Sequence, residues 1–220
     1  MLSPRSFSAG RLRISLIVVL ILVAAGLLWV LVPRDWEFTG VAERKFTISH
    51  PFGRVRQILV RTNAIREVVA LNNGQLVDQQ WQDLNVDVRQ LLTNPDWSLS
   101  ADGVLKVQIH DPYVGEAVIE LNQSVAVTPN QLKVENRLAQ PTERLLDYAT
   151  STTAAANAEG SAEFQAKVEL RVKVRTLYLW RGIARRRVTA AAEQSLAKQE
   201  EALRAIVADR QDAAIILPRL

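Results

Sequence analysis

Between Glu163 and Thr176 apolar and polar residues alternate without a break. Phe164, Ala166, Val168, Leu170, Val172 and Val174 are set against Gln165, Lys167, Glu169, Arg171, Lys173 and Arg175. Side chains of a strand point to opposite faces in turn, so six consecutive matches to a period of two specify a long antiparallel strand with one dry and one wet face. At about 3.4 Å per residue it reaches roughly 40 Å, and a strand that long twists and curves. A helix follows from about Ile183 to Asp209, with Val188, Ala192, Leu196, Leu203 and Ile206 or Val207 on one face. Glu193, Lys198, Glu200, Glu201 and Arg204 mostly occupy the other. As a lone coiled coil the pattern would last three heptads at most, with only Gln199 at the intermediate seam position, so packing on the sheet is expected.

The second constraint is the uncharged run from Ile14 to Pro33, ISLIVVLILVAAGLLWVLVP, in which only Ser15, Gly26 and Pro33 are not apolar. Twenty helical residues cover about 30 Å, the thickness of a bilayer's hydrocarbon core, with every backbone group bonded internally. A cleaved signal peptide has a shorter apolar core ending at a small-x-small site, whereas here Ala24, Ala25 and Gly26 are followed by LLWVLV. An uncleaved single-pass anchor is therefore expected. Arg5, Arg11 and Arg13 precede it, while Arg34, Asp35 and Glu37 follow closely, which puts the N-terminus in the cytoplasm. Arg11, Arg13, Trp29 and Trp36 are the expected membrane-interface residues. The chain then divides into a cytoplasmic segment (1–13), the transmembrane helix (14–33) and an extracytoplasmic domain (34–220). All 23 acidic residues and all but three of the 27 Lys and Arg follow the span, leaving that domain with a net charge of about +1.

Within it, Trp36 to Ile48 reads as a strand. The next segment reads as a helix capped by Ser49 or His50, with Pro51 in its first turn and a pattern running to Val69, broken near Asn63. Gln75 to Asp102 is poorly patterned and is assigned short strands with loops. Val104 to His110 alternates cleanly, with His110 on the wet face. Ala117 to Val127 reads as a strand whose phase slips near Gln123, as at a bulge, and Leu132 to Leu138 returns as a hairpin. Arg144 to Thr150 reads as a further strand with Leu146 and Tyr148 on one face. STTAAANAEGSA then reads as a flexible small-residue linker.

The chemistry available is narrow. Without cysteine there is no disulfide framework, thiol nucleophile, thiolate zinc site, iron–sulfur cluster or lipidated cysteine. His50 and His110 are too few for a three-histidine metal site. No phosphate-cradling glycine loop, metal-spaced histidine pair or serine elbow occurs, so no metal, cofactor or catalytic residue is expected. Asp147 beside Tyr148, and Glu135, would reach the interior only if their strand phases were reversed. Arg181, Arg185, Arg186 and Arg187 cluster without a DNA-reading helix, so nucleic acid is not an expected partner. They form either a solvated helix face or a contact for anionic lipid heads.

Strand, helix, antiparallel strands and one long amphipathic C-terminal helix is an element order that resembles the helix-grip domains of the START-like, polyketide-cyclase-like lipid-binding superfamily. The resemblance rests on ISHPFGRVRQIL at the first strand-to-helix passage and on AEFQAKVELRVKV followed by VTAAAEQSLAKQEEALRAIV, and covers about Trp36 to Asp209. It implies an α+β fold, a curved antiparallel sheet wrapped around the C-terminal helix, with a space between them that is either filled by side chains or left as an apolar cavity. Phe164, Val168, Leu170, Leu196 and Leu203 are the candidates to line it. The expected role is a membrane-anchored binding module for a hydrophobic molecule, a lipid or another apolar ligand. A non-catalytic envelope assembly protein with a solid core and a protein partner is the alternative, and an enzymatic role stands behind both.

Overall fold

The alternating segment is strand β7, Ser161–Thr176, in a computed structural model that describes residues 22, 26, 29–61, 64–71, 74–86, 97–111 and 115–210. In chain order the elements are β1 (Arg34–Pro51), α1 (Phe52–Arg61), α2 (Ala64–Leu71), β2 (Gly74–Val86), β3 (Leu99–Asp111), β4 (Gly115–Val127), β5 (Gln131–Leu138), β6 (Leu145–Ala156) and β7. A 3-10 turn (Tyr178–Trp180) then leads into α3 (Arg181–Asp209). The seven strands form one antiparallel sheet in the order β1-β7-β6-β5-β4-β3-β2. This is the helix-grip arrangement expected from the sequence. Most of the anchor segment, with Arg11 and Arg13, lies outside the described residues, and among those described no helix is long and apolar enough to cross a membrane.

β1 and β7 form the spine. They pair without a register break from Arg34↔Thr176 to Ile48↔Ala162, and Phe46 stacks on Phe164 with ring centroids 4.9 Å apart. Their dry faces are buried, each large side chain contributing roughly 1.5–3 kcal/mol. Their wet faces carry exposed ion pairs such as Glu37 with Arg171 at 3.2 Å, which add little stability. α3 packs chiefly on these two strands. Gly40 permits the contact: a Cβ there would lie 2.7 Å from the Val188 carbonyl oxygen. Farther along, Glu200 accepts hydrogen bonds from Arg44 and Arg204. Burial by itself would raise its pKa, but those hydrogen bonds and charges hold the carboxyl below its ordinary value.

Phe38 of β1 and Val188 of α3 share a buried cluster with Leu105 and Val107 of β3 and Ile119 and Leu121 of β4. Strands from opposite ends of the order can share one core only if the sheet curls around it.

Several sequence expectations are corrected. His50 is not a cap but the penultimate residue of β1. Its Nδ1 lies 2.6 Å from the Ser49 carbonyl, and Pro51 ends that strand rather than opening the helix. The Phe52 N–H that opens α1 instead donates to the carbonyl of Gly160 at 3.0 Å. The poorly patterned segment contains one long strand, β2, whose alternation is scrambled by register shifts at Leu76/Asp78 and Trp81/Asp83. β3 begins at Leu99, ahead of the clean alternation. Gln123 marks no bulge. The registers of β4 with both neighbours run through it unbroken, and Gln123 takes a core-facing position at 2% exposure. The supposed linker is the second half of β6, the turn and the start of β7; the turn is closed by the Asn157 side chain accepting from the N–H of Glu159 and of Ser161, with Gly160 at φ +79°. A register shift between Leu145 and Asp147 buries Leu145, so the face assigned to Leu146 belongs to its neighbour.

Replacing Gly40 with Ala should force α3 off β1, lowering stability by about 1–3 kcal/mol, read as a lower denaturant midpoint at unchanged slope. An unchanged midpoint would mean that the helix does not rest on this residue.

Candidate ligand cavity

Because α3 rests chiefly on β1 and β7 while the other strands curl away, the inner faces of β3 to β6 are only partly packed against helix. The residues there do not fill the gap. β6 presents Thr150, Thr152 and Ala154, and β5 presents Val134 and Asn136. The result is a cavity of about 1200 Å³, somewhat above the usual range for small-molecule sites. α2 closes part of its length through Ile65, Val68 and Val69. The solid interior required by the assembly reading is not what the fold builds.

Of the residues expected to line the space, Phe164, Leu170 and Leu203 do so. Val168 and Leu196 are not part of the lining. They are 1% and 2% exposed in the packed cluster of Ala42, Phe46 and Ala192, where α3 lies directly against the spine and leaves no room. Trp36 and Trp29 lie near the start of the spine, each with its ring close to Tyr178, at 6.1 and 5.5 Å between centroids. Asp147 and Glu135 are exposed, Glu135 paired with Lys133 at 2.8 Å, so no carboxylate from these positions enters the interior. His110 is exposed on β3, 3.6 Å from Glu116, at the cavity's edge.

Sequence reasoning missed the polar lining. Gln123 donates through Nε2 to Asn136 Oδ1 at 3.0 Å, and Asn136 donates through Nδ2 to Thr150 Oγ1 at 3.0 Å. From the helix side Gln199 donates through Nε2 to Thr152 Oγ1 at 2.7 Å. Tyr148 hydrogen-bonds Ser195, also across the gap. Polar groups taken from water must be paired, and these are paired chiefly with one another, fixing strand to strand and helix to β6. Gln123 Oε1 is buried and finds no hydrogen-bond partner among the described residues. The surface thus offered to a guest is mostly aliphatic and aromatic, crossed by Asn136, Tyr148, Thr150, Thr152, Ser195 and Gln199. One signal for it stood in the sequence: Gln199 interrupts the apolar stripe of Leu196 and Leu203.

Burial pushes the Tyr148 phenol above its ordinary value, only partly offset by the bond to Ser195, so it stays neutral. Among the described residues no group of three or more His, Cys, Asp or Glu could hold a metal ion.

No family model matches the sequence, and no curated protein does. Solved structures with a similar arrangement include a START superfamily protein from Mycobacterium smegmatis at 12% identity. It matches over 77% of this chain and 97% of that one, with a TM-score of 0.45. The Zhui aromatase/cyclase from Streptomyces sp. R1128 is 11% identical over 81% and 99%, with a TM-score of 0.47. An uncharacterised protein from Rhizobium leguminosarum is 13% identical over 80% and 99%, with a TM-score of 0.42.

A phenol whose folded pKa is raised stabilises the fold fully below its ordinary pKa, and that stability is lost as pH rises through the raised value. In an alkaline absorbance titration, wild type and Tyr148→Phe should therefore coincide through the ordinary tyrosine range and part only above it, or on unfolding. A full difference within the ordinary range would place the phenol in water.

Proposed function

We propose that this chain is a membrane-anchored binding module that holds a hydrophobic ligand, of lipid type, between α3 and the inner face of the sheet. The observation that carries the reading is the cavity of about 1200 Å³ together with its lining. A space bounded by Phe164, Leu170, Val134, Leu132 and Leu203 favours an apolar guest, because burying apolar surface is worth about 25 cal/mol per Å². Asn136, Thr150 and Thr152 give such a guest a place for one polar group.

Anchoring belongs to the same proposal. Ile14 to Pro33 spans the cytoplasmic membrane with the N-terminus inside, and the domain stands at the outer face. Tethering by one helix raises the effective concentration of the domain at its lipid source. Support comes from the uncharged length of the segment and from the placement of Arg5, Arg11 and Arg13 before it. A protein partner in the envelope was the competing idea, and it leaned on a solid interior that the cavity does not fit.

The binding test is displacement of a fluorescent fatty acid from the full chain in detergent. Val134→Trp places an indole in the open volume, so affinity should fall at least about tenfold while the melting temperature stays near wild type. Equal affinity in the two proteins would remove the cavity as the binding site.

The topology test uses the absence of cysteine in the chain. A single Glu159→Cys, in the exposed β6–β7 turn, should react with a membrane-impermeant maleimide added to intact spheroplasts. Reaction only after lysis would put the domain in the cytoplasm.

A further inference from the structure

One end of the molecule carries a surface that the packing of the fold does not explain. Trp29, Leu31 and Val32 before β1, and Tyr178, Leu179, Trp180 and Ile183 at the passage from β7 to α3, are 45% to 66% exposed. Their backbones meet at the first rung of the spine, Arg34↔Thr176, and Trp29 and Tyr178 have ring centroids 5.5 Å apart. Contiguous exposed apolar surface of this kind marks a contact site, whereas scattered residues do not. The 3-10 turn buries none of its residues.

Charge is arranged around it. Arg34 lies over Trp29 at 4.6 Å and Arg181 over Trp36 at 4.9 Å, while Arg185, Arg186 and Arg187 are exposed on the following turns of α3. The first turn of α3 has no acidic residue. A cation in the first turn of a helix opposes the helix dipole, so Arg181 is not there for the helix's benefit. The acidic groups on the neighbouring spine, Asp35 and Glu37, are engaged by Lys173 and Arg171. Arg181, Arg185, Arg186 and Arg187 make no ion pair among the described residues.

Two further facts select the occupant. β1 begins at Arg34, directly after Pro33, so no linker separates the apolar segment from this face of the domain. Trp180, Ile183 and Arg187 also line the cavity, together with Arg175, so the cavity reaches the surface inside this patch. We infer that the aromatic and arginine-rich collar around the start of α3 seats on an anionic bilayer surface and opens the cavity onto it, so that ligand passes between membrane and cavity without crossing water. Aromatic rings suit the water–lipid boundary, and arginines near a negative surface add attraction that salt screens. This inference rests on the anchored, lipid-binding reading above and adds to it the face and the headgroup charge.

The test reconstitutes the full chain in phosphatidylcholine vesicles with or without phosphatidylglycerol. A single cysteine replaces either Leu179 or, at the opposite end of the sheet, Glu159, and carries an environment-sensitive fluorophore. With phosphatidylglycerol present, the Leu179→Cys fluorophore should be blue-shifted and quenched by nitroxide lipids, and the Glu159→Cys fluorophore should not. Each arginine near the surface is worth roughly fivefold, so replacing Arg185, Arg186 and Arg187 with Ser should shift the docked-to-undocked ratio by about 100-fold. A Leu179→Cys fluorophore as wet as that at Glu159→Cys, or quenching indifferent to lipid charge and to the arginines, overturns the inference. Fatty-acid displacement in detergent and flotation with vesicles report cavity and anchor separately. Normal results there with a wet Leu179→Cys site sink the docking face alone. A chain that does not float with vesicles sinks the anchored reading and the docking face together.

Discussion

The contact between α3 and the β1–β7 spine governs the rest of the molecule. A glycine at position 40 lets the helix backbone approach the sheet closely, and Arg44, Glu200 and Arg204 hold it farther along. Once a 29-residue helix is fixed along one edge of a seven-stranded sheet, the remaining strands can bury their inner faces only by curling over it. Phe38 and Val188 meeting Leu105 and Ile119 is the closure of that curl. Close packing therefore belongs to the spine, and open volume to the strands opposite.

That division explains what was legible in the chain. β7 and α3 carry long, regular patterns because one face of each is turned to the apolar interior, and both were readable from period alone, as was the β4–β5 hairpin. β6 was not. Its inward positions, Thr150, Thr152 and Ala154, are small or polar, so no alternation of hydrophobicity survives and STTAAA resembles a linker. The property that hid the strand is the one that leaves room for the cavity. Gln123 misled in the same way: a polar residue in a core position looks like a slip of phase, yet it is there to hold Asn136. β2 was obscured by its two register shifts.

The candidate site was legible only in part for a related reason. Apolar residues on the dry faces of β7 and α3 could be named, but period does not tell which of them face packing and which face empty volume. Phe164, Leu170 and Leu203 face the cavity, while Val168 and Leu196 are sealed under the helix. The polar lining comes from β5, β6 and the α3 positions of Ser195 and Gln199, brought together by curvature that no local pattern encodes. The apolar run from Ile14 to Pro33 was the reverse case, plain in composition and mostly outside the described residues.

The central claim is that the volume beneath α3 receives a hydrophobic ligand. Its most direct test is photo-crosslinking of the full chain with a diazirine-bearing fatty acid, followed by peptide mapping of the adducts. The account predicts adducts on inward residues of β5, β6 and β7, such as Val134, Tyr148 and Leu170. Adducts confined to Ile14–Pro33, or to the wet faces of the strands, would contradict it.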